Sequence, residues 1–489
     1  MASRAVRVTV GFMQTRLLAA SALLALLSLF MVSAPALAQN NASATADAAA
    51  LKAQPMIDKV LNTDTIAWDI VEGLTTEVGP RLAGTEAEAR ARVWAVTKLK
   101  ALGFKNVRAE PYKMPVWVRG EEKAEIVSPF PQRLTLTALG NSGATPANGL
   151  AAEVIYFKDL ASLETANPAS VKGKIVFVSH NMQPTQDGSS YGYHGRVRRV
   201  APALAAKMGA VGIVIRSIGT DYHRNPHTGV TSWPDGMTPI PAAALSLPDA
   251  ENLERIFKRG KPVMMNLTLT PRFVGEHESG NVIAEIPGTD PAAGIVLVAC
   301  HLDSWDLATG AIDDASGCGI VTAAALHATH INAKPRRTIR VLWAGAEEVG
   351  LFGARAYAAA HGSDNHVVAG ESDFGADRVW RFQTNYGEAG KPIMGRLERA
   401  LQPLGVARGD TNADADGADI SGIIALGKTA AINLSQDGSD YFNLHHTPDD
   451  TLDKVDPAKL RQNVAAWTAA INILANAPET IAPAPKKVP

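Results

Sequence analysis

In the run His301-Leu302-Asp303-Ser304-Trp305-Asp306 and the pair Asp313-Asp314, one imidazole and four carboxylates fall within fourteen positions. Such groups coordinate divalent cations when they converge. The preceding stretch, Ile295 to Cys300, is apolar throughout and reads as a strand buried on both faces. Ala315 to His330 then reads as a helix. Donors at the carboxyl end of a buried strand lie where open α/β sheets place their sites. A His-x-Asp triplet is weak by itself, because acidic loops also cap helices, and a capping role competes at Asp306, Asp314 and Asp449.

The same pattern recurs three more times. Thr338 to Trp343 is followed by Glu347-Glu348, and Val367 to Ala369 by Glu371-Ser372-Asp373. Thr429 to Leu434 leads to a loop ending His445-His446-Thr447-Pro448-Asp449-Asp450-Thr451. All four segments read as strands, so four strand ends converge on one edge. Two histidines and three carboxylates suit a pair of divalent ions, with zinc the usual choice for mixed nitrogen and oxygen donors. Paired ions about 3.5 to 4 Å apart need one bridging carboxylate. Of the adjacent Glu347 and Glu348, one can ligate while the other takes a proton from water.

The elements that must position these groups span a 489-residue chain, long enough for two domains. Arg4, Arg7 and Arg16, an apolar run from Leu17 to Ala34 and Ala36-Leu37-Ala38 before Gln39 read as an export signal over residues 1–38, cleaved after Ala38. The expected location is therefore secreted or periplasmic, with no membrane attachment after cleavage. Lys plus Arg total 47 against 48 for Asp plus Glu, so no net field argues for a nucleic-acid partner. Glu86 to Leu102 reads as a helix capped by Thr85, and Phe104 to Val118 alternates as strands do. Residues 121–274 read as a second, β-rich domain resembling a protease-associated insert. Residues 39–120 and 275–489 then form the main α/β domain, closed by a helix from Pro457 to about Ala475. The Pro-rich end from Ala477 is expected to be disordered. Within the insert, His194, His223 and His227 match no ligand spacing and are assigned to loops or the surface. Cys300 and Cys318 read as small buried hydrophobes, with no bridge indicated.

Taken together, His301-Leu302-Asp303-Ser304, Gly310-Ala311-Ile312-Asp313-Asp314, Glu347-Glu348, Glu371-Ser372-Asp373 and His446-Thr447-x-x-Asp450-Thr451 resemble the motifs of metallopeptidase family 28. Ser304-Trp305-Asp306, Pro226-His227-Thr228-Gly229, Gly417-Ala418-Asp419-Ile420-Ser421 and the doubled His445-His446 are similar to a carboxypeptidase branch of that family. The resemblance implies a phosphorylase/hydrolase-like α/β domain with a mixed sheet flanked by helices, and two Zn2+ per chain. It makes His301 and Asp373 ligands of one ion, Glu348 and His446 ligands of the other, and Asp313 the bridge. Glu347 would be the general base and acid, Asp303 would orient the His301 ring, and the Asp313–Asp314 peptide would be cis.

These expectations describe an exported di-zinc exopeptidase acting on dipeptides or short peptides, with a homodimer admissible. An aminopeptidase of the same family is the first alternative. A non-catalytic binding protein on the peptidase fold would be expected to have lost ligands, and none is missing. A glutaminyl-cyclase-like acyltransferase would use one zinc and a modified donor set.

Overall fold

The computed structural model describes residues 53–331, 334–409 and 417–485. The export-signal reading, residues 1–38, lies outside them. With strands numbered in chain order, the first sheet runs β1 (Lys105–Val118), β10 (Arg272–Ile286), β12 (Thr338–Ala344), β11 (Ile295–His301), β13 (His366–Glu371), β16 (Ala430–Gln436), β14 (Val379–Thr384), β15 (Ala407–Arg408). Its central neighbours β12, β11, β13 and β16 are mutually parallel. Their carboxyl ends therefore share one edge, and all four donor-bearing loops leave from it.

β11 is apolar without alternation because both of its faces are covered. Val296, Val298 and Cys300 enter the core beneath helices α5 (Ser316–Ile331) and α7 (Pro457–Asn476), whereas Leu297 and Ala299 face the layer that includes Tyr357 of α6 (Phe352–His361). Helices α1 (Ile66–Gly73) and α2 (Glu86–Ala101) complete the first layer. The predicted caps form as the residue types require. Thr85 accepts from Glu88 N, and Asp456 accepts from Ala458 N and Lys459 N, with Pro457 at the first position of α7.

The second sheet runs β3 (Gln132–Leu134), β2 (Glu122–Ser128), β9 (Met264–Leu269), β5 (Leu150–Phe157), β6 (Ile175–Val178), β7 (Gly212–Arg216), β8 (Ala242–Leu245), β4 (Leu136–Ala138). Helices α3 (Arg196–Lys207) and α4 (Leu247–Phe257) belong to it. β1 and β10 pair along their length, ending at Val118↔Arg272, and β2 and β9 resume pairing at Glu122↔Leu269. The chain thus enters and leaves the second sheet through one two-stranded ribbon.

Two expectations are corrected. The tail is ordered as far as residue 485: Ile481 is buried, Gly387 N donates to Ala482 O at 3.0 Å, and Ala484 N donates to Asn385 O at 2.7 Å. One apolar anchor and backbone pairing outweigh its composition. Cys300 and Cys318 form a disulfide with Cα atoms 5.1 Å apart, because the end of β11 lies against the first turn of α5.

Candidate metal centre

His301 ends β11 with Nε2 3.0 Å from Asp313 Oδ1 and 3.2 Å from Asp373 Oδ1. Across the same carboxylate, His446 Nε2 lies 2.6 Å from Glu348 Oε2 and 3.2 Å from Asp313 Oδ2. One oxygen of Asp313 faces each histidine. Two donor groups result, His301 with Asp313 and Asp373, and Asp313 with Glu348 and His446, each with ligand atoms within 4.8 Å of one another. Glu348 joins a group; Glu347, beside it on the edge, joins neither.

The backbone around Asp313 is held from three sides. Asp450 accepts from Ile312 N at 2.6 Å and Asp313 N at 3.1 Å. Burial, with the Asp313 charge adding to it, pushes the Asp450 carboxyl up to about 7. Asp314 accepts from His301 N at 3.1 Å and Gly317 N at 2.9 Å, so it ties β11 to the start of α5. Arg81 is fully buried and donates to the carbonyls of Leu302, Thr309 and Gly310. The Asp313–Asp314 peptide is cis, as the resemblance implied.

Each histidine is also fixed from behind. His301 Nδ1 faces the carbonyl of Asp303 at 2.9 Å, and His446 Nδ1 faces the carbonyl of Thr228 at 3.1 Å. A nitrogen against a carbonyl carries the proton, so in the singly protonated ring Nε2 turns its lone pair toward the carboxylates. Asp303 meets the His301 ring through two groups. Its main-chain carbonyl orients His301, while its carboxylate lies 3.8 Å from the ring and accepts from Glu347 N at 3.1 Å.

These surroundings fit cations. Asp313 Oδ2 and both carboxylate oxygens of Glu348 are buried without a hydrogen-bond partner among the described residues. Burial disfavours charge on His301 and His446. Yet Asp373 and Asp313 around the first ring, and Glu348 and Asp313 around the second, hold both well above the ordinary imidazole range. A divalent cation supplies the positive charge that this ring of carboxylates demands. Burial pushes the Glu347 carboxyl well up, with Asp373 and Glu348 reinforcing the shift against the pull of His301.

The second sheet's loops reach this edge. His227, expected in a loop or at the surface, is buried with Nε2 2.9 Å from His445 Nδ1. The other nitrogen of His445, Nε2, lies 3.2 Å from Asp313 Oδ2. Trp305 Nε1 donates to Thr228 Oγ1 at 2.8 Å, and its ring stacks on His446. Tyr191 stacks on Phe442 with ring centroids 4.3 Å apart. The other acids are engaged elsewhere: Asp306 pairs bidentately with Arg119, and Asp449 accepts from Asn225. Sequence reasoning missed Arg198, which donates to Thr228 O beside His446. Its position in an amphipathic helix gave no signal.

Residues 281–471 match the model of peptidase family M28. The chain is 33% identical to bovine (Bos taurus) carboxypeptidase Q over 83% of this chain and 85% of that protein, and 32% identical to the human (Homo sapiens) protein over the same shares. These belong to the carboxypeptidase branch to which the motifs pointed. A peptidase M28 precursor from Shewanella amazonensis superposes with a TM-score of 0.87 at 45% identity, over 90% of this chain and 100% of that one. A zinc aminopeptidase from Bacillus subtilis, 20% identical, shares the fold at a TM-score of 0.60 over 87% of this chain and 98% of its own. With this donor set on this fold, and relatives matching over most of its length, the chain belongs to peptidase family M28 and is a metallopeptidase.

Proposed function

We propose that the protein is an exported di-zinc exopeptidase that cleaves the terminal bond of dipeptides or short peptides. The observation that carries this reading is the shared carboxylate. Asp313 presents one oxygen to the His301 and Asp373 group and the other to the Glu348 and His446 group. In this reading His301, Asp313 and Asp373 hold one zinc, and Asp313, Glu348 and His446 hold the other. When bound there, the ions would supply Lewis acidity, able to polarise a scissile carbonyl and acidify a water.

The chain's own residues do the remaining work. Glu347 stands beside a ligand without joining a donor group, and its backbone N–H is fixed by Asp303. Its raised proton affinity suits a group that takes a proton from water and returns it to the leaving amine. Asp450 and Asp314 keep the Asp313 backbone in place, and the Asp303 and Thr228 carbonyls fix both histidine tautomers. Residues 121–274, carrying the second sheet, are assigned as an insert that roofs the site through Tyr191, His227 and Thr228 and limits substrates to short peptides.

The Cys300–Cys318 disulfide supports an oxidising compartment, in keeping with export. No helix among the described residues is long and apolar enough to cross a membrane. The test is a panel of free dipeptides and chromogenic aminoacyl amides, assayed after chelation and after zinc is restored. Dipeptide turnover that disappears with chelator and returns with zinc is expected. Turnover indifferent to chelator refutes the reading.

A further inference from the structure

Strands β14 and β16 alternate in a telling way. Phe382 and Leu434 enter the core, so Arg381, Gln383, Asn433 and Ser435 lie on the opposite face, with Arg381 opposite Ser435 and Gln383 opposite Asn433. Because β14 runs antiparallel to β16, its first residues lie at the carboxyl edge of β16, the edge that bears the donors. Arg381, Asn433 and Ser435 line a cavity of about 200 Å³ together with Glu371 and Asp373. Asp373 is one of the proposed zinc ligands, so one wall of this cavity is shared with the proposed metal centre.

Arg381 differs from Arg119, Arg340 and Arg396, which all hold carboxylates. Arg119 forks onto Asp306 at 2.8 and 2.9 Å, Arg340 holds Glu285 and Asp364 at 2.7 Å, and Arg396 forks onto Glu479 at 2.7 and 2.6 Å. Among the described residues the Arg381 guanidinium has no hydrogen bond or ion pair, and its buried Nε has no partner. It lies over the Trp380 ring at 4.6 Å, which fixes its plane. None of the three carboxylates of the cavity hydrogen-bonds Arg381; each has other partners, although the Asp187 charge lies within electrostatic reach of Arg381. Glu371 accepts from Asp419 N and Ile420 N at 2.8 and 3.1 Å, Asp373 faces His301, and Asp187 accepts from Ser189 N at 3.0 Å. The result is an oriented cation with no hydrogen bond or ion pair among the described residues, in a small cavity that shares Asp373 with the proposed metal centre.

We infer that Arg381 binds the free α-carboxylate of the substrate residue whose amine leaves. This rests on the exopeptidase reading and deepens it by naming the group that selects unsubstituted C-termini. Successive residues are about 3.8 Å apart along a peptide. A carboxylate one residue beyond the scissile carbonyl therefore fits a cavity with Asp373 on one wall and Arg381 on another. A planar fork against a carboxylate is the pairing for which arginine geometry is suited.

The test uses the zinc-loaded full chain with a dipeptide, its C-terminal amide, and an aminoacyl amide bearing an acidic side chain. The unaltered enzyme is expected to favour the free acid over the amide by on the order of 10- to 100-fold in kcat/KM, expressed mainly in KM, as one charged hydrogen-bonded pair implies. Arg381→Ala is expected to collapse that ratio, and Arg381→Lys to restore part of it. Calorimetry with a non-cleavable reduced-bond dipeptide and its amide should show the same loss of discrimination without turnover. An unchanged ratio in Arg381→Ala, an equal loss for acid and amide, or a loss confined to the acidic side chain each overturns the inference. Zinc content and Tm of each variant establish that it is folded, and Arg381→Gln carries the comparison if the alanine variant is not. Failure of the unaltered enzyme to cleave any peptide would refute the exopeptidase reading instead, and the calorimetry would still judge Arg381.

Discussion

Glu347 and Glu348 are adjacent and chemically identical, yet the fold gives them different surroundings. Glu348 is buried against His446, whereas Glu347 is half-buried with its backbone tied to Asp303. Under the proposed assignment Glu347→Ala keeps both metals but loses several orders of magnitude in kcat, because only the proton shuttle is removed. Zinc analysis beside single-turnover kinetics checks this, and a variant that keeps most of its activity contradicts it. The donor residues were legible in the sequence because each follows an apolar strand and their types are those of a mixed nitrogen and oxygen site. What sequence could not give was the partner on the far side of each ring. Asp303 looked like a carboxylate for His301, and its carbonyl, at 2.9 Å, lies nearer the ring nitrogen than its carboxylate, at 3.8 Å. His227 had no spacing to recommend it, since its contact with His445 joins positions 218 apart in the chain.

At the scale of elements, the strap from the second sheet to His446 is the sharpest feature. Gly229 has φ +123°, and a Cβ there would collide with Arg198 and come within 2.8 Å of His446 Nδ1. Gly229→Ala is therefore expected to displace His446 and weaken zinc binding by on the order of 10- to 100-fold, as loss of ligand support does elsewhere. Competition with a chromogenic chelator measures it, and unchanged affinity would free the metal centre from dependence on this strap. The disulfide acts at the opposite end of the site, closing a loop of 18 residues between β11 and α5. Replacing both cysteines by alanine is expected to cost about 3 kcal/mol, read as a lower Tm in the oxidised protein only. An unchanged Tm would leave the bridge without a stabilising role. The strands of the central sheet were legible because continuous apolar runs between turn residues have few other readings. β14 was not anticipated: Val-Trp-Arg-Phe-Gln-Thr is short and half-polar, and only its pairing with β16 identifies it. The bridge was likewise hidden, because sequence spacing says nothing of how closely β11 approaches α5.

For the molecule as a whole, one ribbon joins two sheets, and loops from both meet over four parallel strand ends. The arrangement brings Asp313 between two histidines that lie 145 positions apart in the chain, at 301 and 446. The account stands on that carboxylate serving two ions. Under the proposed assignment Asp313 would feel both cations, and removing it would unmask repulsion between divalent charges, which in paired sites lie about 3.5 to 4 Å apart. Asp314, which supports the turn through His301 N and Gly317 N, is expected to cost about 1 to 3 kcal/mol on replacement while still permitting metal loading. The most direct measurement is zinc per chain, by plasma emission spectrometry on dialysed protein, for the unaltered enzyme, Asp313→Ala and Asp314→Ala. Two zinc ions in the unaltered enzyme, fewer than two in Asp313→Ala with activity nearly abolished, and two in Asp314→Ala are the expected results. Two ions retained by Asp313→Ala, or a single ion in the unaltered enzyme, would contradict the account.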